Sequence, residues 1–249
     1  MIKIKYLLVL VVVSLLGSCA ESGLDFDNEL LSISELGILP EEVKVDDLLV
    51  ENSLDEWKVA TAKVLNNGIG KRLLQFVKNL SPRKAFIHFV PIVDKDGNLD
   101  RSSIRMTYGA GGQIGYTYLA LTNAYNDELL FHEFFHVYQY AGRAPTHNRS
   151  DEVEAYLAQY LYAQSRGYVP WVIDKKFTEI MTRLVSCIDA SSGYLRDKVD
   201  YEQFYSVYVE ALGFLGDLPW YRGDDWTSGA VEYGSYPFQR LLNLLNQNL

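Results

Sequence analysis

Residues 129–140, LLFHEFFHVYQY, constrain this chain more than any other stretch. On a helical wheel of about 100° per residue, Leu130, Phe131, Phe134, Val137 and Tyr138 cover most of the circumference, and His132, Glu133, His136, Gln139 and Tyr140 gather on one strip. A helix that is apolar nearly all round is stable in water only when other elements cover it, so this segment has to sit at the centre of a larger domain. Its polar strip must then face a cavity, because an unpaired charge is costly to bury.

Two histidines at i and i+4 project their imidazoles in the same direction one turn apart, close enough to share a zinc ion. Glu133 lies off to the side and can reach a water on that metal and take its proton, which is the physical content of H-E-x-x-H. The competing reading is a pair of satisfied core histidines beside a solvated glutamate. A zinc site needs a third protein ligand. The metzincin extension would place glycine at 139 and histidine at 142, but the chain has Gln139 and Gly142, which leaves an acidic residue of the next helix. That helix opens NRSDEVEAYLAQY over 148–160, with Glu152 and Glu154 as candidates. Glu152 shares a face with Tyr156, Gln159 and Ala163, whereas Glu154 lies about 200° round the wheel with Leu157 and Leu161.

Across about residues 85–166 the sequence resembles the gluzincin, thermolysin-like metallopeptidases, and the resemblance rests on HEFFH and on EVEA. It implies a zincin-like core holding Zn2+ on His132, His136 and Glu152, with Glu133 as general base and Ala155 where two helices pack closely. It also implies a peptide or protein substrate. The family commonly has an aspartate where this chain has Tyr156, so the second shell of a histidine has to come from elsewhere. The strand before the motif helix, 115–123, is placed to pair with substrate, with Tyr116 and Tyr118 alternating with Thr117; an internal strand is the other reading. His147 and Tyr156, or a tyrosine of the tail such as Tyr208, Tyr221, Tyr233 or Tyr236, are candidates to stabilise an oxyanion or touch substrate.

Before the domain comes a different signal. Lys3 and Lys5 precede an apolar run to Leu16, too short for a permanent bilayer span, and small residues lead to Cys19: a secretory signal over 1–18. LGSC, 16–19, resembles the bacterial lipobox, which implies lipidation of Cys19 and attachment to a membrane outside the cytoplasm, on the periplasmic face or the cell surface. Residues 19–40 read as an acidic tether and 41–249 as one domain. The net charge of −9, which becomes −11 once Lys3 and Lys5 leave with the signal, argues against nucleic acid as a partner. Cys187 is then without a partner for an intrachain disulfide and reads as a buried apolar thiol.

The remaining periodicity predicts α+β: helices to Leu65 and over 70–80, a small antiparallel sheet from 85–93, 102–108 and 113–121, then a helical bundle. Ser53 and Glu56 form a capping-box pattern ahead of the first helix. YGAGGQIG misses the dinucleotide-binding spacing and reads as a turn, as does DKDGNLD, whose glycine comes too early for a calcium loop. Two other functions stay open: a zincin-like binding lipoprotein without turnover, and a metal-free module binding peptides or glycans on its aromatic surface.

Overall fold

The computed structural model describes residues 42–80, 86–141, 146–167 and 174–246. The segments read as a signal and a tether, with Cys19, lie outside the described residues, among which no helix is long and apolar enough to cross a membrane. The order is α1 (Asp55–Leu65), α2 (Gly68–Leu80), β1 (His88–Pro91), β2 (Met106–Gly109), β3 (Gln113–Tyr116), α3 (Tyr118–Leu121), α4 (Asn126–Gln139), α5 (Arg149–Ser165), α6 (Lys175–Ser186), α7 (Tyr201–Asp217) and α8 (Gln239–Asn246). The class is α+β, with one small sheet among the described residues.

That sheet is mixed, which corrects the antiparallel expectation. Its order is β1-β3-β2, with β3 parallel to β1 and antiparallel to β2. The two turn signals do different things. The glycines after β2 make a true hairpin to β3: Gly111 and Gly112 have φ of +73° and +78°, and a Cβ on Gly112 would stand 2.7 Å from the Phe86 carbonyl oxygen. DKDGN instead closes a small loop of its own, where the Asp94 carboxylate accepts the backbone N–H groups of Asp96 and Asn98 and Val93 bridges Leu99. It never joins β1 to β2 as neighbours, so β1 is free to take the far side of β3.

The strand expected over 113–121 is cut in half. Thr117 Oγ1 donates to the Ser103 carbonyl at 2.7 Å and accepts the Arg105 N–H at 3.0 Å, and residues 118–121 then turn helical. The capping box also fails to form: the N-cap is Leu54, with no side-chain cap, and Ser53 Oγ is buried without a partner.

Every residue of α4 is buried, as its apolar circumference requires. It packs against α5, α1, α2 and β2. Phe131 stacks on Tyr162 of α5 at 4.5 Å and Tyr138 on Phe76 of α2 at 4.9 Å. A buried phenylalanine contributes about 1.5–3 kcal/mol, so this helix is the spine of the core. The α4–α5 pair is antiparallel and pinned at both ends. At one end Asp127 accepts from Tyr162 and pairs with Arg166, and at the other Gln139 donates to the Asp151 carbonyl and the Glu154 carboxylate.

Candidate metal centre

The pinned helix pair brings His132, His136 and Glu152 together. His132 Nε2 and His136 Nε2 are 3.1 Å apart, and each lies 3.5 Å from a different oxygen of Glu152. Taken one atom per residue, the three groups fall within 4.8 Å of one another and can hold a metal ion. All three side chains are at least mostly buried. Lone-pair donors converging at such range repel one another unless a cation stands between them.

In the metal-free chain a proton plays that part. Burial alone would depress His136, but the facing Glu152 carboxylate outweighs it, with help from Glu133 and Gln139, and holds the imidazole up at about 9. Burial lowers His132. Glu152 is pulled well below the ordinary carboxylate range, because His136 and His132 outweigh the cost of burying it.

Glu133 lines the same cavity, 5% exposed, and its Oε2 has no hydrogen-bond partner. Burial pushes it up to about 7, against opposing help from His136 and from the backbone N–H of Tyr108. A buried carboxyl with a free oxygen and a raised pKa beside two imidazoles is suited to take and return a proton near neutral pH. Its burial also bears on stability. A raised carboxyl pKa favours folding most below pH about 4.5, and that contribution is lost as pH rises through about 7. Metal-free Glu133→Gln is therefore expected to exceed the parent in stability at pH 8 by on the order of 3 kcal/mol, with the gap closing toward pH 4.5, as read by urea midpoints at the two pH values. A parent at least as stable as the variant at pH 8 would contradict this.

Glu154, the alternative third ligand, points away. Its Oε2 accepts from Gln139 at 2.9 Å and its Oε1 from the Leu241 N–H of α8 at 2.8 Å. The Tyr156 ring packs on His132 at 4.4 Å between centroids, and its hydroxyl meets Tyr221 Oη at 3.2 Å, so it does not replace the missing aspartate as a bond to the histidine. Tyr221 in turn donates to Glu152 Oε2 at 3.1 Å. The tail thus supplies a hydroxyl that holds Glu152, a different task from the oxyanion contact for which the sequence offers Tyr208, Tyr221, Tyr233 and Tyr236.

The cavity measures about 620 Å³ and is walled by residues 103–108 on one side and by Trp220, Tyr221 and Trp226 on the other. His147 sits on its lining with Nδ1 2.7 Å from Asp225 Oδ2 and its ring stacked on Trp226 at 5.1 Å. Those partners come from far along the chain because Asn148 bridges Thr227: Thr227 N–H donates to the His147 carbonyl and Arg149 N–H to the Thr227 carbonyl.

Tyr116 and Tyr118 are not part of the site. Tyr116 is buried against Trp57 at 5.3 Å, and Tyr118 lies under the Arg101 guanidinium at 4.1 Å. The reason is topological: β3 is the central strand, with both edges already paired, and the strand on the cavity side is β2. Thr117 N–H donates to the Arg105 carbonyl, so strand alternation turns Arg105, Thr107 and Gly109 toward β3 and leaves the backbone groups of Met106 and Tyr108 on the open edge. Nothing in residues 102–108 read alone separates an edge from an interior strand; only the sheet order does.

The chain matches no protein-family model, no curated protein and no solved structure.

Proposed function

We propose that the protein is a zinc-dependent peptidase with a zincin-like core, held outside the cytoplasm by a lipid on Cys19. The observation that carries this reading is the convergence of His132, His136 and Glu152: the two Nε2 atoms are 3.1 Å apart, each is 3.5 Å from one of the two Glu152 oxygens, and one donor atom from each residue falls within 4.8 Å of the others. A tetrahedral zinc site with bonds of about 2.0–2.2 Å has donor atoms about 3.3–3.6 Å apart, and two imidazoles and a carboxylate approaching one another at 3.1–3.5 Å are the donor types and the range that suit that ion. The unpartnered Glu133 Oε2 beside them fits a group whose partner is water or substrate.

Bound zinc would supply Lewis acidity, making water acidic enough to lose a proton near pH 7 and polarising a scissile carbonyl. Glu133 takes that proton and returns it to the leaving amine. Tyr221 steadies Glu152 through its hydroxyl, and His147, whose Nδ1 is held by Asp225, would offer Nε2 as a donor to the oxygen on which negative charge develops when its ring is the imidazolium, a cation that the Asp225 carboxylate pairs. The substrate backbone adds to the outer edge of β2, where Met106 presents its N–H and C=O groups and Tyr108 its C=O, the Tyr108 N–H being engaged by Glu133. Met106, Leu129 and Trp220 give the cavity apolar walls, which favour apolar or aromatic side chains beside the cleaved bond.

The test is a mixed peptide library treated with zinc-loaded protein and read by mass spectrometry. Cleavage that a zinc chelator stops and added zinc restores is expected. One zinc per chain with every peptide intact would leave a binding protein in place of an enzyme.

A further inference from the structure

His136 is held from behind by a buried relay that plays no part in the chemistry above. His136 Nδ1 lies 2.8 Å from Gln139 Oε1. The other end of that amide is spoken for: Gln139 Nε2 donates to the Asp151 carbonyl and to Glu154 Oε2, both at 2.9 Å. Both partners can only accept if Glu154 is ionised, and the carbonyl can only accept in any case, so the amide cannot turn over without setting its oxygen against acceptors. Oxygen therefore faces His136, and Nδ1 must be the nitrogen that carries hydrogen and donates. In the neutral imidazole that can bind a metal, Nε2 is then left with its lone pair directed at Glu152 and His132.

Glu154 is anchored in turn. Its second oxygen accepts the Leu241 N–H at 2.8 Å, one of the N–H groups in the first turn of α8 that no helical carbonyl can reach. Tyr138 donates to the Arg240 carbonyl at 3.2 Å, a second tie from α4 to the same turn. Gln139 and Glu154 are 1% and 4% exposed, so water does not compete for these bonds.

Resting on the metal-site reading above, we propose that Gln139 and Glu154 are positioning residues: they fix the tautomer and ring orientation of His136 and make the C-terminal helix α8 a structural support of the metal site. A ligating imidazole is steadied when its other nitrogen donates to a fixed acceptor. Here that acceptor is an amide on the same helix, one turn on, and the fixed point is the backbone of α8.

The experiment measures zinc affinity by chelator competition in the parent, Gln139→Leu and Glu154→Gln, together with the imidazole N–H signals of the zinc-loaded proteins labelled with ¹⁵N-histidine. The parent is expected to bind zinc and to show a His136 Nδ1–H signal protected from exchange with water. Gln139→Leu is expected to lose that protection and to bind zinc about 10–100-fold more weakly. Because this variant also strips partners from Glu154 and the Asp151 carbonyl, Glu154→Gln serves as the second: it keeps the volume but sets an amide N–H against either Gln139 or Leu241, and a smaller loss in both readouts is expected. Zinc affinity within twofold of the parent in a folded variant, with the His136 signal still protected, would overturn the relay and leave the metal site standing. A parent that binds no zinc would overturn the metal reading itself.

Discussion

Glutamine at position 133 is expected to leave one zinc ion bound per chain and to slow peptide hydrolysis by about 10³-fold, within the range that a positioned acid–base group contributes. The substitution keeps the size of the side chain and removes its ability to take a proton. Glu133 is buried in the cavity wall with a free oxygen and stands outside the triangle formed by His132, His136 and Glu152. Loss of turnover with retention of metal separates a base from a ligand. The expected gain in metal-free stability belongs to the same cause, since the burial that raises this carboxyl is a cost that glutamine does not carry. Hydrolysis within tenfold of the parent would remove Glu133 from the mechanism, and loss of zinc would make it a ligand.

Alanine at His136 or at Glu152 is expected to weaken zinc binding by more than about 100-fold, the upper figure for an outer partner, because each removes one of three direct donors. The two changes differ without metal. His136→Ala leaves the Glu152 carboxylate buried against His132 and Tyr221, having lost its strongest partner, and should destabilise the fold; Glu152→Ala removes that charge and returns His136 toward a lower pKa. His147→Ala is the control. It sits on the cavity lining, bound to Asp225, and should lower kcat with zinc affinity unchanged. Competition with a coloured chelator ranks all three proteins, and His136→Ala with parental affinity would contradict the assignment.

What the sequence disclosed follows from the range of the forces involved. The buried α4 was legible because its apolar circumference is a local pattern, and Glu152 was separable from Glu154 because helix phase depends on spacing alone. The sheet was less so. Whether DKDGN joins two neighbouring strands or closes on itself depends on which strand later pairs with β3, a contact between residues some 25 apart such as His88 and Gln113. Tyr116 and Tyr118 were misplaced for that reason, and the strand edge on the cavity side belongs to β2. Gln139 stood on the polar strip in plain view, yet its partner Glu154 read only as a rival ligand; their common attachment to Leu241, 87 positions beyond Glu154, carries no local signal. Asp225 came within reach of His147 only through the Asn148–Thr227 bridge.

The most direct test is a crystal of the zinc-loaded protein with diffraction recorded on both sides of the zinc absorption edge. One anomalous peak is expected, about 2.0–2.2 Å from His132 Nε2, His136 Nε2 and a carboxylate oxygen of Glu152, with the fourth position open to the cavity. No peak there, or zinc held elsewhere with the two imidazoles bonded only to protein, would contradict the metal site and return HEFFH to the core of the fold.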